Sequence, residues 1–197
     1  MARRYRLKAR AERQDENRRK IVEAAYRLHM TIGPAQTTTS AIARLAGVKR
    51  PTVQRHFPDL GSLFMACSIH GRQLHPPPDP RDWVGIADPR ARLLTALREE
   101  YPYYRSHRVL LGDVDAFFDT PGLESLKAAM TDQREVQRRV LAHGWSFAKN
   151  REAALRAAIG HALDFWTWKS LTSDQGLSDD EAAALMTHMV RSVADDR

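Results

Sequence analysis

Between Lys49 and His56 the chain places six side chains able to donate to a DNA groove or to its backbone: Lys49, Arg50, Thr52, Gln54, Arg55 and His56. Arginine pairs bidentately with guanine and glutamine with adenine, while threonine reaches a phosphate or a thymine methyl. Signals for catalysis are thin by comparison. His161 and Asp164 stand three apart and Asp113-Val-Asp115 offers two carboxylates, but no third or fourth ligand follows at a metal-binding spacing. Cys67 sits in an apolar pattern with no neighbouring base, as a buried structural thiol would. There is no glycine-rich phosphate loop and no serine elbow. The expectation is a binding protein and not an enzyme, with no cofactor and no metal.

Those donors need a rigid mount, and the flanking pattern supplies one. From Asn17 the apolar residues Ile21, Ala24, Ala25, Leu28 and Ile32 recur at spacings of three and four, which predicts an amphipathic helix ending at Gly33-Pro34. Thr37 to Ala46 follows as a helix of about two turns, with hydroxyl residues at its start. Gly47 interrupts it, and a second short helix from Val48 to Phe57 takes Pro51 in its first turn, where a missing N–H costs nothing. Small Ala43 and Ala46 permit close approach, and Ile42, Val48, Val53 and Phe57 pack inward, which leaves the six donors outside. Two short helices joined through a glycine within a basic segment make a helix-turn-helix.

Charge marks the same segment. Of the 197 residues, the first 56 hold 14 Lys/Arg against 4 Asp/Glu, whereas residues 57 to 197 hold 17 against 20. Nine of the basic residues fall in the first twenty positions, including Arg3, Arg4 and Arg6, and predict a flexible arm that seeks phosphate. A hydrophobic fraction of 43% is enough to build a core, so disorder is excluded. One cysteine allows no intrachain disulfide. The basic N-terminus lacks the apolar region of a secretory signal, and no apolar run approaches the roughly 18 residues that span a bilayer, so a cytoplasmic protein with no membrane partner is expected.

Beyond the basic segment, periodicity predicts helices at about 61–74, 89–100, 103–118, 123–143, 151–172 and 179–194, with a linker at the proline-rich stretch His75 to Pro80. Ser178 and Glu181 form a capping box for the final helix. No segment shows a period of two. The fold class expected is all-α, with an N-terminal three-helix helix-turn-helix domain and a C-terminal helical ligand-binding and dimerisation domain. The boundaries drawn are 1–16 for the arm, 17–60 for the DNA-binding domain and 61–197 for the remainder.

The runs Arg19 to Ala25, Thr38 to Val48 and Thr52 to Phe57 with Leu63-Phe64 resemble the DNA-binding domain of the TetR family of bacterial transcriptional regulators, over about residues 18–65. Phe165 to Ala184, within 151–194, is also similar to the last helices of many members. The resemblance implies a homodimer on a palindromic double-stranded operator, most simply a repressor that lets go when a small molecule binds. It adds Thr38 and Thr39 to the DNA-contacting set. Three positions depart from the family pattern: Gln54 stands where tyrosine is usual, Leu60 where lysine is usual, and Lys49 where a hydroxyl residue is usual.

Within the C-terminal part, Trp83, Tyr101, Tyr104, Phe117, Phe118, Trp145, His161 and Phe165 are expected to line an effector pocket suited to a small hydrophobic or aromatic molecule. Leu155, Ala158, Ile159, Ala162, Trp166, Leu185, Met186, Met189 and Val190 are expected at the dimer interface, because they trace apolar faces on the last two predicted helices. The alternative is a DNA-binding regulator or architectural protein that takes no small molecule.

Overall fold

The computed structural model describes residues 2–117, 122–146 and 151–195, without the side chains of residues 2–4 and 114–117. Among the described residues there are ten α-helices and no strand: α1 (Ala2–Ile32), α2 (Thr39–Leu45), α3 (Arg50–His56), α4 (Leu60–Leu74), α5 (Pro89–Ser106), α6 (Arg108–Phe117), α7 (Glu124–Ala142), α8 (Glu152–Ala162), α9 (Phe165–Lys169) and α10 (Asp179–Asp195). A 3-10 turn spans Pro80–Trp83 and a π turn spans Ser170–Asp174. The chain divides into two compact units, Met1–Pro76 with Arg108–Lys127, and Pro77–His107 with Ala128–Arg197. The proline stretch therefore lies at a boundary, as its backbone chemistry predicts.

In the first unit the helix-turn-helix forms as expected. Thr38 caps α2, its Oγ1 accepting from the Ala41 N–H at 3.1 Å. Gly47 takes φ +66, in the left-handed region that suits glycine. Ile21, Ala24, Ala25, Ile42, Ala43, Ala46, Val53, Phe57 and Leu63 share one core, with Leu28 and Val48 packed against it. α4 lies along α1, where the Tyr26 and His70 rings meet edge-on at 5.6 Å and a side chain at Gly71 would run into Tyr26. So α4 packs with the head, and α6 also packs on α1.

α1 differs from its expected start. It runs unbroken from Ala2, so the segment predicted to be a flexible arm is a helical extension of the helix that opens the helix-turn-helix unit. Residues 2–16 contain no glycine or proline and are mostly good helix formers, and Lys8 pairs with Glu12 one turn on at 3.9 Å.

In the second unit α10 packs on α5 and α8. α5 continues through exposed Pro102 and stops at His107, so the predicted break near residue 101 falls one and a half turns later. The predicted helix 151–172 is two helices. Asp164 starts α9 by accepting from the Trp166 and Thr167 N–H groups at 2.9 and 3.1 Å, and α8 ends at Ala162. The break exposes two carbonyls of the last turn, and Tyr101 and Tyr104 donate to them, at Ala162 and Leu163, each at 2.8 Å. Arg92 closes another helix end. Fully engaged and buried, it donates to the carbonyls of Ile86, Ala87, Val140 and His143, the last two at the C-terminus of α7, where partial negative charge collects. The capping box at α10 is present, with Ser178 N–H donating to Glu181 at 2.8 Å and Glu181 N–H to Ser178 Oγ at 3.3 Å.

Candidate nucleic-acid interface

α3 is short because its ends are specified. Lys49 leads in with extended backbone, Pro51 occupies the first turn, and Phe57 leaves the helix to join the core. With Val53 buried on the inner side, Lys49, Arg50, Gln54 and Arg55 stand exposed and Thr52 is half-buried. This outer face carries three cations and one amide, the donor set for phosphate and base edges.

The structure alters the expected set at several positions. His56 is half-buried, its Nε2 has no partner among the described residues, and burial, then Arg55 and Arg18, push its pKa down. Its Nε2 is shielded from solvent on the inner side of the ring. Thr38 is engaged as the α2 cap and Thr39 is half-buried in the first turn. Arg6 is exposed on the α1 extension, and the side chains of Arg3 and Arg4 lie outside the described residues.

Arg18 belongs to this site although its charge alone does not single it out. Its guanidinium stacks on the Phe57 ring at 4.4 Å and donates to the His56 carbonyl at 3.5 Å, which ties α1 to the last turn of α3. The available signal is spacing: Arg18, Ile21, Val22 and Ala25 follow one helix face, and the last three are core. At the other end of α1, the Ala35 N–H donates to the Asp113 carboxylate of α6 at 3.4 Å, directly beside Gly33. Asp113 is therefore a brace for the turn before α2, while the other half of the sequence pair, Asp115, has its side chain outside the described residues. Cys67 is buried, with its thiol pushed up to about 12 by burial and its Sγ 3.7 Å from the Val22 carbonyl. Among the described residues no group of three or more His, Cys, Asp or Glu could hold a metal.

The second unit uses its aromatic residues differently from the expectation. Trp83, Tyr101, Tyr104 and Phe165 are buried, and the polar atoms of the first three are engaged: Trp83 Nε1 donates to Glu99 at 2.8 Å, and both tyrosines cap α8. All four are packed side chains, and the α8–α9 break engages the two tyrosine hydroxyls. Trp145 is half-buried and donates to the Leu141 carbonyl at 2.9 Å. Phe117 has its side chain outside the described residues, and Phe118 lies wholly outside them. An open cavity of about 490 Å³ does occur in this unit, lined by Glu135, Arg138, Arg156, Ala157, Gly160, His161 and Asp164. Its lining is polar, and His161 is its single residue from the expected pocket. Below the core tyrosines, buried Glu100 accepts from Gln137, and Arg134 donates to the Tyr104 hydroxyl. Burial holds the Glu100 carboxyl up to about 7.

The expected interface residues also divide. Leu155, Ile159, Ala162, Met186 and Val190 are buried within the chain and Ala158 is half-buried, whereas Trp166, Leu185 and Met189 are between 40 and 49% exposed. Apolar periodicity marks both the face that packs α8 on α10 and the face that remains outside.

Comparison with known proteins follows this geometry. Residues 21–67 match the model described as bacterial regulatory proteins, tetR family. Among solved structures the chain is similar to a tetR-family transcriptional regulator from Streptomyces coelicolor, at 19% identity and a TM-score of 0.65 over 91% of this chain and 80% of that one. It is similar also to a Clostridium perfringens protein, a candidate regulator of fatty acid metabolism, at 18% identity and a TM-score of 0.61 over 90% and 98%. NalD, the secondary repressor of the MexAB-OprM multidrug efflux pump in Pseudomonas aeruginosa, is similar at 19% identity and a TM-score of 0.56 over 94% and 100%. No curated protein matches by sequence.

Proposed function

We propose, from the premise that the chain carries a tetR-family DNA-binding head and the helical fold of tetR regulators, that it is a sequence-specific transcriptional regulator acting as a homodimer on a palindromic operator. The observation that carries this is the outer face of α3, where Lys49, Arg50, Gln54 and Arg55 stand exposed on a helix whose other side is locked into a core. Gln54 replaces the usual tyrosine and is a base reader in this proposal, paired with adenine, while Arg50 and Arg55 take guanine or phosphate. A two-fold dimer sets two such helices about 34 Å apart, one turn of DNA. The exposed stripe of Trp166, Leu185 and Met189 supports pairing through α8–α10, since an apolar face left outside needs a partner.

Control by a small molecule is the finer part of the proposal. A ligand that favours one arrangement of α6 would act on the head through Asp113 and the turn at Gly33, weakening operator binding by its differential affinity for the two states. Coupling in such switches is typically about 1 to 3 kcal/mol. A second reading, a DNA-binding regulator with no small-molecule effector, is favoured by the packed and hydrogen-bonded state of Trp83, Tyr101 and Tyr104. Selection of bound duplexes from random-sequence DNA tests the common part. Recovery of an inverted repeat whose recognition weakens in Gln54→Ala supports it, and recovery of no motif overturns it.

A further inference from the structure

The helical extension of α1 has an ordered face. Arg6, Arg10 and Arg13 are spaced four and three apart, so at 100° per residue they fall in one arc about 60° wide. The same spacing continues through Asn17 to Ile21, Ala24 and Leu28, the residues that pack into the helix-turn-helix core. One face of α1 is therefore apolar where it covers α2 and α3, and arginine-rich where it runs past them. Arg18 marks the changeover, because it is the residue that grips the end of α3. Beyond it, residues 2–16 extend for about 22 Å at 1.5 Å per residue.

The acidic residues of the extension avoid that arc. Glu12 pairs with Lys8 at 3.9 Å, and Glu16 pairs with Arg19 and Lys20 at 2.7 and 3.3 Å. Asp15 also falls outside it by helical register. Arg6, Arg10 and Arg13 are exposed and have no ion pair among the described residues. A helix that only needed solubility would mix its charges. This one holds its acids against its own cations and leaves an uncompensated arginine stripe in phase with the face that seats the reading helix.

We propose that this stripe is a second DNA-contact surface, a rigid helical rail that lies along the phosphate backbone beside the groove occupied by α3. The proposal rests on the DNA-binding reading above and deepens it. What matters in it is which face carries the arginines, and not only how many the N-terminus has.

The test compares salt dependence of binding for four versions of the full chain, wild type, two stripe variants and Arg50→Ala, on a duplex selected from random-sequence DNA and on an unrelated duplex of equal length. Arg6→Ala with Arg10→Ala and Arg13→Ala removes the stripe. Exchanging Arg10 with Glu12 and Arg13 with Asp15 keeps composition and net charge but turns the arginines off the arc. With up to three phosphate contacts per protomer, and so six per bound dimer, at roughly 0.9 each, the slope of log affinity against log salt should fall by up to about 5 in the alanine variant, and by about 3 to 4 in the exchange variant, on both duplexes. Circular dichroism of the exchange variant should show unchanged helix content. An exchange variant with the wild-type slope overturns the rail, since charge count alone would then explain binding. An alanine variant with the wild-type slope overturns any contact by this segment. If Arg50→Ala and wild type bind the selected and unrelated duplexes alike, it is the underlying DNA-reading proposal that fails.

Discussion

At the level of single residues, the inward turn of Val53 and Phe57 decides which side chains α3 shows outside. Lys49, Arg50, Gln54 and Arg55 are identifiable because Val53 and Phe57 fix which side of the helix is inside. His56 carries the same donor chemistry, but its Nε2 is shielded from solvent and its carbonyl is held by Arg18, 38 positions away, and no local pattern reports either. Gly33 shows the same limit. Its φ of +85 suits glycine, and a Cβ there would overlap the Asp113 carboxylate, a neighbour 80 residues on. Gly33→Ala should therefore destabilise the protein by about 1 to 3 kcal/mol in urea unfolding, from backbone strain and overpacking together. Adding Asp113→Ala should recover part of the loss, and no recovery would show that strain alone is responsible. Glu100 gives a pH prediction. Its carboxyl is held up to about 7 by burial, so the folded state binds a proton that the unfolded state has already lost above pH 4.5. Its stabilising contribution is complete below that pH and disappears as pH rises to about 7, a loss on the order of 3 kcal/mol. Glu100→Gln should flatten the stability profile in that window, and an unchanged profile would contradict the assignment.

At the level of elements, boundaries follow from capping and propensity wherever the residues involved are neighbours. Ser178 and Glu181 place the start of α10, and Gly47 with Pro51 separates α2 from α3. The start of α1 is less clear to periodicity, because the stripe continues while its residue type changes from apolar to arginine. The break between α8 and α9 is hidden for another reason. Leu155 to Trp166 keep a helical spacing across it, and its only local sign is Asp164. Removing that cap should loosen the break, and Asp164→Ala should lower stability by about 1 kcal/mol in thermal or urea unfolding. Tyr101 and Tyr104 are recruited to the carbonyls that this break frees, a role that their place in an aromatic cluster does not announce. Arg92 is a further test at this scale. Arg92→Met should cost about 2 to 3 kcal/mol, because it removes the buried guanidinium that serves four carbonyls at once. Arg92→Lys should not restore the loss, since an ammonium cannot reproduce the planar fork.

At the level of the whole molecule, the positive charge is concentrated at one end of the sequence. The basic excess lies in the first 56 residues, on the exposed side of α3 and the rail of α1. The apolar surface left outside includes Leu185 and Met189 on α10, while Met186 and Val190 on the same helix are buried within the chain. Leu185→Asp with Met189→Asp should convert a dimer to a monomer in sedimentation and weaken operator binding at least tenfold, with little change in unfolding free energy. Retention of the dimer would place the interface elsewhere. If the outer face of α3 reads a particular base sequence, duplex selection from random DNA with wild type, Arg50→Ala and Gln54→Ala will show it. Wild type should recover an inverted repeat, and each variant should lose preference at one symmetric base position per half-site, worth about 1 to 3 kcal/mol. An identical motif from all three proteins, or no motif from wild type, would contradict it.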